Sequence, residues 1–244
     1  MTAETDATDA VFSVLRGCAS MRMYVVFEKG ERLRHIGHLD IMRTMQRALR
    51  RSGLPVSYSK GFNPHILLGF ASALSVGAVG ENELMEITLD REITPEEMNQ
   101  QLSAALPEDI RLKRSGILSD SAEALMAMVD AALWHGEFLD ENKTQAAEAL
   151  RCMLQRDEVT ATRKSKSGEK SVNIRPLILS YQLYSNGFDL LLSQEEGKTC
   201  KPSMVLEALG NDMQLETPPR VLLTRLHLMT RLPDGELHPL EDVL

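Results

Sequence analysis

No stretch of this chain approaches the about 18 consecutive apolar residues that a membrane-spanning helix needs. Cysteine is scarce: Cys18, Cys152 and Cys200 stand far apart, with no CxxC or CxxxCxxC spacing. That excludes a zinc ribbon or an iron–sulfur cluster held on the chain's own thiols, and free thiols fit a reduced, cytoplasmic setting. There is no GxxxxGK[ST] phosphate loop, no GxGxxG and no HExxH, so familiar nucleotide and metal chemistry finds no support and no cofactor is expected. Aromatic residues make up only 5%, with a single Trp. Met1 to Ala10 is acidic and small rather than basic and apolar, which is not the pattern of a secretory signal. Against these absences, 43% hydrophobic and 25% charged residues over 244 positions provide for a packed core in one large or two small domains. The formal net charge of -8 argues against a protein that coats nucleic acid with its whole surface.

Residue patterns divide the chain into an extension at 1–20, a unit at 21–119, a second unit at 120–231 and an acidic tail at 232–244. In the first unit, Arg22 to Glu28 is β-branched and aromatic and reads as a strand. Asp40 to Ser52 reads as a helix, with Ile41, Met45, Ala48 and Leu49 forming an apolar stripe and Gly53 at its stop. Val56 to Tyr58, Ile66 to Ala73 and Leu84 to Leu89 read as strands. Thr94-Pro95-Glu96-Glu97 opens a helix with a capping box, and Ile110 to Leu118 closes the unit. The second unit reads as a strand within Ala124 to Phe138 and a helix at Lys143 to Leu154. Hairpins follow around Ser167-Gly168 and Asn186-Gly187. A helix at Pro202 to Leu209 and a strand at Arg220 to Met229 complete it. The predicted class is α+β: two ferredoxin-like β-α-β-β-α-β units, with antiparallel sheets carrying helices on one face.

Charge is distributed unevenly. Residues 22–65 hold nine Lys/Arg and three acids, a block of +6 in a chain that is -14 elsewhere. Arg43, Arg47 and Arg50 recur at i, i+4 and i+7, so one helix face carries all three guanidiniums. They bind an anion there or form an ordinary solvated face. Arg34, Ser59, Lys60, Asn63 and His65 add polar and cationic groups, and Tyr58 and Phe62 add rings that either stack bases or fill the core. His35, His38 and His65 would need Asp40 to complete a metal site, and a lone histidine at a helix start more often makes a local contact, so no metal is expected. His38 or His65, with Asp40, is a conceivable acid–base pair, but no nucleophile stands beside either. Lys198 and Lys201 flank Cys200, and such cations lower a thiol pKa; the plain alternative is an incidental loop cysteine.

The run Arg34-His35-Ile36-Gly37-His38-Leu39-Asp40, then Arg43, Arg47 to Val56 (RALRRSGLPV) and Tyr58 to His65 (YSKGFNPH), resembles the radical-SAM-associated, or radical-SAM-linked, family of bacterial proteins. The likeness continues through Phe70-Ala71 and Ala73 to Gly77 and extends to about residue 229. Three places depart from the pattern: Ile66 where proline is common, Gly37 where serine is common, and Leu84-Met85-Glu86 in place of a Glu-Tyr-Met/Leu-Asp run. The resemblance implies a protein encoded beside, or fused to, a radical SAM enzyme; the missing CxxxCxxC agrees that this chain is not itself such an enzyme.

The favoured expectation is therefore a non-catalytic accessory of a radical SAM enzyme that presents an anionic substrate such as RNA or tRNA. By fold analogy, the open face of a ferredoxin-like sheet is where bases are displayed. The alternatives are an RNA-acting enzyme using His38, Asp40 and His65, and a purely protein-facing module.

Overall fold

A computed structural model describes residues 20–165 and 168–244. Most of the N-terminal extension, Cys18 included, and Ser167 of one hairpin turn lie outside the described residues.

The strands are β1 (Met21–Lys29), β2 (Leu68–Phe70), β3 (Ala78–Leu89), β4 (Ile110–Leu118), β5 (Ala131–Phe138), β6 (Thr160–Ser165), β7 (Gly168–Asn173), β8 (Ile178–Leu183), β9 (Gly187–Ser193), β10 (Val221–Arg231) and β11 (Leu237–Pro239). Among the described residues there are four α-helices: α1 (His38–Ser52), α2 (Pro95–Ala105), α3 (Lys143–Leu154) and α4 (Pro202–Asp212). Local chemistry sets their ends. Gly53, with φ 76°, ends α1 in the left-handed conformation that glycine adopts freely. At α2, the Thr94 hydroxyl accepts from Glu97 N while Glu97 Oε2 accepts from Thr94 N, with Pro95 at the first helical position.

The fold is mixed α and β around one large, mostly antiparallel sheet. Its main path runs β4-β1-β3-β10-β5-β9-β8, with β2 on β3, β11 on β10, and β6–β7 as a separate two-stranded ribbon. Two separate antiparallel sheets were the expectation. Instead the halves share one sheet, because Leu223 to Arg225 of β10 pairs in parallel with Ala78 to Gly80 of β3. Within each half the strand order is the same permutation: β4-β1-β3-β2 in the first and β10-β5-β9-β8 in the second, each antiparallel throughout.

Several boundaries differ from the sequence reading. Val56 to Tyr58 forms only isolated bridges, Val56 to Leu89 and Tyr58 to Ile66. β2 is three residues long, and β3 starts six residues earlier than Leu84, where β10 recruits it. The Ala- and Met-rich stretch before β5 contains a 3-10 turn at Leu125–Met128.

Alternation along β1 shows how the layers pack. Met23, Val25 and Phe27 lie beneath α1 and α2, with Met45, Leu49, Met98 and Leu102. Tyr24 and Val26, on the other face, belong to the larger core that also holds Leu125, Trp134, Leu150, Val205 and Leu240. That second face of β1 is covered. Arg22 donates to the carbonyls of Ala122 (2.6 Å) and Glu123 (3.1 Å), Arg114 donates to the Glu241 carbonyl, and Tyr24 Oη reaches Leu244 O at 3.5 Å. Along β1 this face is therefore closed to a stacking base.

Candidate anion-binding surface

α1 is amphipathic because its apolar residues recur every third or fourth position: Ile41, Met45, Ala48 and Leu49 are buried against the sheet. Arg43, Arg47 and Arg50 occupy the outward arc and are exposed. Their seven-residue span covers about 10 Å of helix. Asp40, in the first helical turn, pairs with Arg43 at 3.0 Å. Arg47 and Arg50 have no hydrogen-bond or ion-pair partner among the described residues, so their charges are presented to solvent. Arg51 is turned aside and donates to Ala105 O at 2.7 Å, tying α1 to α2. Arg34 pairs with Glu31 at 2.6 Å and donates through Nε to His35 Nε2 at 3.1 Å.

The Lys60-to-His65 loop is held at its neck. Ser59 N donates to His65 O at 2.8 Å, His65 N donates to Ser59 Oγ at 3.1 Å, and Ser59 Oγ lies 2.8 Å from His65 Nδ1. Ser57 fixes the incoming segment, through its N–H on Thr88 O and its hydroxyl on Asp90 at 2.5 Å. Gly61 has φ 134°, a bend that a residue with a Cβ rarely adopts. Phe62 follows it and is fully exposed (106%), so it is no core residue. Lys60, Asn63 and His65 are exposed around it. Tyr58 is 44% exposed. Its bridge partner Ile66 belongs to the core beneath α1, and paired residues point to one face, so Tyr58 lies on the α1 side of the sheet.

The segment leading into α1 is anchored by Lys29. This lysine is buried, and its ammonium donates to the carbonyls of Ala78 (3.1 Å), Ile36 (3.2 Å) and Arg34 (3.4 Å). Burial, offset in part by Glu83, pulls its pKa below the usual lysine range. His38, at the start of α1, rests its ring edge-on against Phe70, centroids 5.1 Å apart. The structure does not gather the three acid–base candidates: His38 contacts Phe70, Asp40 pairs with Arg43, and His65 bonds Ser59. Nor do His35, His38 and His65 converge. Among the described residues no group of three or more His, Cys, Asp or Glu side chains is arranged to hold a metal ion.

A polar group in the second half went unread in the sequence. Asp189 accepts from Tyr184 Oη at 2.6 Å and lies 2.6 Å from His135 Nδ1, while His135 Nε2 stands 3.6 Å from Glu137. The Asp189 hydrogen bond raises the Tyr184 pKa. Alternation puts His135 and Glu137 on one face of β5, the β5–β9 pairing brings Asp189 opposite His135, and the hairpin at Asn186-Gly187 returns Tyr184 alongside β9. Only the strand pairing reveals it. Of the two readings of Cys200, the activated thiol is the one that fails: the thiol is buried, and desolvation pushes its pKa up to about 12 in spite of the Arg163 charge.

Residues 22–206 match the model of a family described as "Uncharacterized protein conserved in bacteria (DUF2344)". The chain belongs to that family. The DUF2344 match covers β1 through the first half of α4 and so contains the whole arginine face and the Lys60-to-His65 loop. No curated protein matches the chain. No described helix is long and apolar enough to cross a membrane.

Proposed function

We propose that this DUF2344 protein is a non-catalytic accessory of a radical SAM enzyme and presents to it an anionic substrate, RNA or tRNA. Two observations carry the reading: Arg47 and Arg50 on α1 are exposed and unpartnered among the described residues, and the rings of Tyr58 and Phe62 are exposed. Guanidiniums take phosphates in forked hydrogen bonds, and the rings offer faces for bases. The link to a radical SAM enzyme rests on the resemblance of the RHIGHLD and YSKGFNPH runs. We also read the halves as two ferredoxin-like units; the repeated strand order supports this, with β6–β7 as an insertion in the second. The setting is read as cytoplasmic.

The enzymatic alternative, with His38, Asp40 and His65 as an acid–base site, lacks the shared geometry a general base needs. The protein-facing alternative has one observation in its favour: Ile36, Leu39 and Val76, around the start of α1, are 37%, 61% and 64% exposed. One experiment separates the two binding readings. The protein is purified with its radical SAM partner, with and without nuclease, and titrated with RNA at low salt. The proposal expects RNA binding that weakens as salt rises. Co-purification untouched by nuclease, with no RNA binding at low salt, would favour the protein-facing module.

A further inference from the structure

We infer that the surface selects unpaired nucleotides, with Phe62 as the residue on which a base stacks. This rests on the proposed RNA-binding reading and narrows it to a substrate class. Burying a phenylalanine ring stabilises a fold, and here that gain is forgone. The ring is not simply on a loose end. The Ser59–His65 bonds close the loop behind it, Gly61 turns the backbone immediately before it, and Pro64 fixes φ two residues later while restricting Asn63 to extended backbone. Four of the loop's exposed residues are a cation (Lys60), the ring (Phe62), an amide (Asn63) and an imidazole (His65). A lone apolar anchor for a protein pocket does not call for that company. A ring between a phosphate-binding cation and groups able to hydrogen-bond a base edge suits an unstacked nucleotide. In a closed duplex the bases already stack on one another and offer no free face, so Phe62 gains nothing from paired RNA. The unpaired positive charge of Arg47, Arg50 and Lys60 supplies the complementary attraction to the strand's phosphates.

The test compares a labelled single-stranded RNA with a fully paired duplex of the same sequence. Both are titrated into the full chain and into Phe62→Ala, Phe62→Leu and Phe62→Trp, with melting curves to establish that each variant is folded. The inference expects Ala and Leu to lose about 5–150-fold in single-strand affinity, the value of stacking on one base, with Trp retaining it. Duplex affinity should be unchanged in all three. It is overturned if Phe62→Ala binds the single strand as tightly as the native chain, or if Leu substitutes fully for Phe, which would mark a merely apolar contact such as a protein pocket. Those outcomes leave RNA binding itself standing. Failure of the native chain to bind either RNA at low salt overturns the reading on which this inference rests.

Discussion

Arg225 forks onto Glu83 across the junction of the two halves. Nε meets Oε1 at 2.8 Å, Nη2 meets Oε2 at 2.5 Å, and both side chains are buried. The remaining guanidinium donors reach Ser72 Oγ, Ser72 O and Ala73 O, and the group lies 5.5 Å from the centre of the Trp134 ring. A charge so enclosed is stable only while every partner is present. Arg225→Ala should destabilise the protein by about 3–5 kcal/mol, because it leaves the Glu83 carboxylate buried and unpaired. Denaturant unfolding measures this; a loss below about 1 kcal/mol would show that the fork is not what holds the halves together.

His227 lies 2.5 Å from Glu241, whose carboxylate is buried, and that hydrogen bond raises the imidazole's pKa. A raised folded-state value means the stabilisation is fully present below about pH 6.5 and fades as pH rises through the folded value. The difference in denaturant midpoint between the native chain and Glu241→Gln should therefore shrink on passing from acid to alkaline pH. A difference that grows instead would reverse the assignment.

Asp189 raises the Tyr184 pKa by holding its hydroxyl proton. Asp189→Asn should bring the phenol back toward its ordinary value, read by ultraviolet titration with Tyr184→Phe as the subtraction control. An unmoved titration would mean that the hydrogen bond does not form in solution.

Thiol reagents should distinguish the described cysteines. Cys152 is exposed, whereas Cys200 is buried with its pKa pushed up to about 12. Labelling of the native protein followed by mass analysis of peptides should find Cys152 modified and Cys200 protected until the chain is unfolded. Equal rates at both would contradict the burial.

Local chemistry made much of the fold legible. The apolar stripe of α1, the Thr94–Glu97 capping box and the Asn186-Gly187 hairpin each act over a few residues, and each element lies near its predicted place. The joining of the halves was not legible, since β3–β10 pairing and the Arg225–Glu83 fork link positions 142 or more residues apart. For the same reason β3 was read too short and the His135–Asp189–Tyr184 group was missed. At the candidate surface, i, i+4, i+7 spacing placed the arginines correctly on one exposed arc. Whether Tyr58 and Phe62 served the core depended on where their loop closed, and a Gly-Phe-Asn-Pro sequence does not encode that. At Cys200 the sequence left a reactive thiol and a plain loop cysteine both open, and burial, which the neighbouring lysines do not reveal, decides for the unreactive one.

Binding of RNA phosphates by the α1 arginine face is read from the salt dependence of binding to a labelled single strand. The native chain should bind at low salt, with log affinity falling linearly against log salt concentration. Arg47→Ala/Arg50→Ala should weaken binding to all sequences alike and make that slope shallower by about 1.4, two phosphate contacts on a single strand. A variant with the native slope and affinity, or a native chain that binds no RNA at low salt, would contradict phosphate binding by this face.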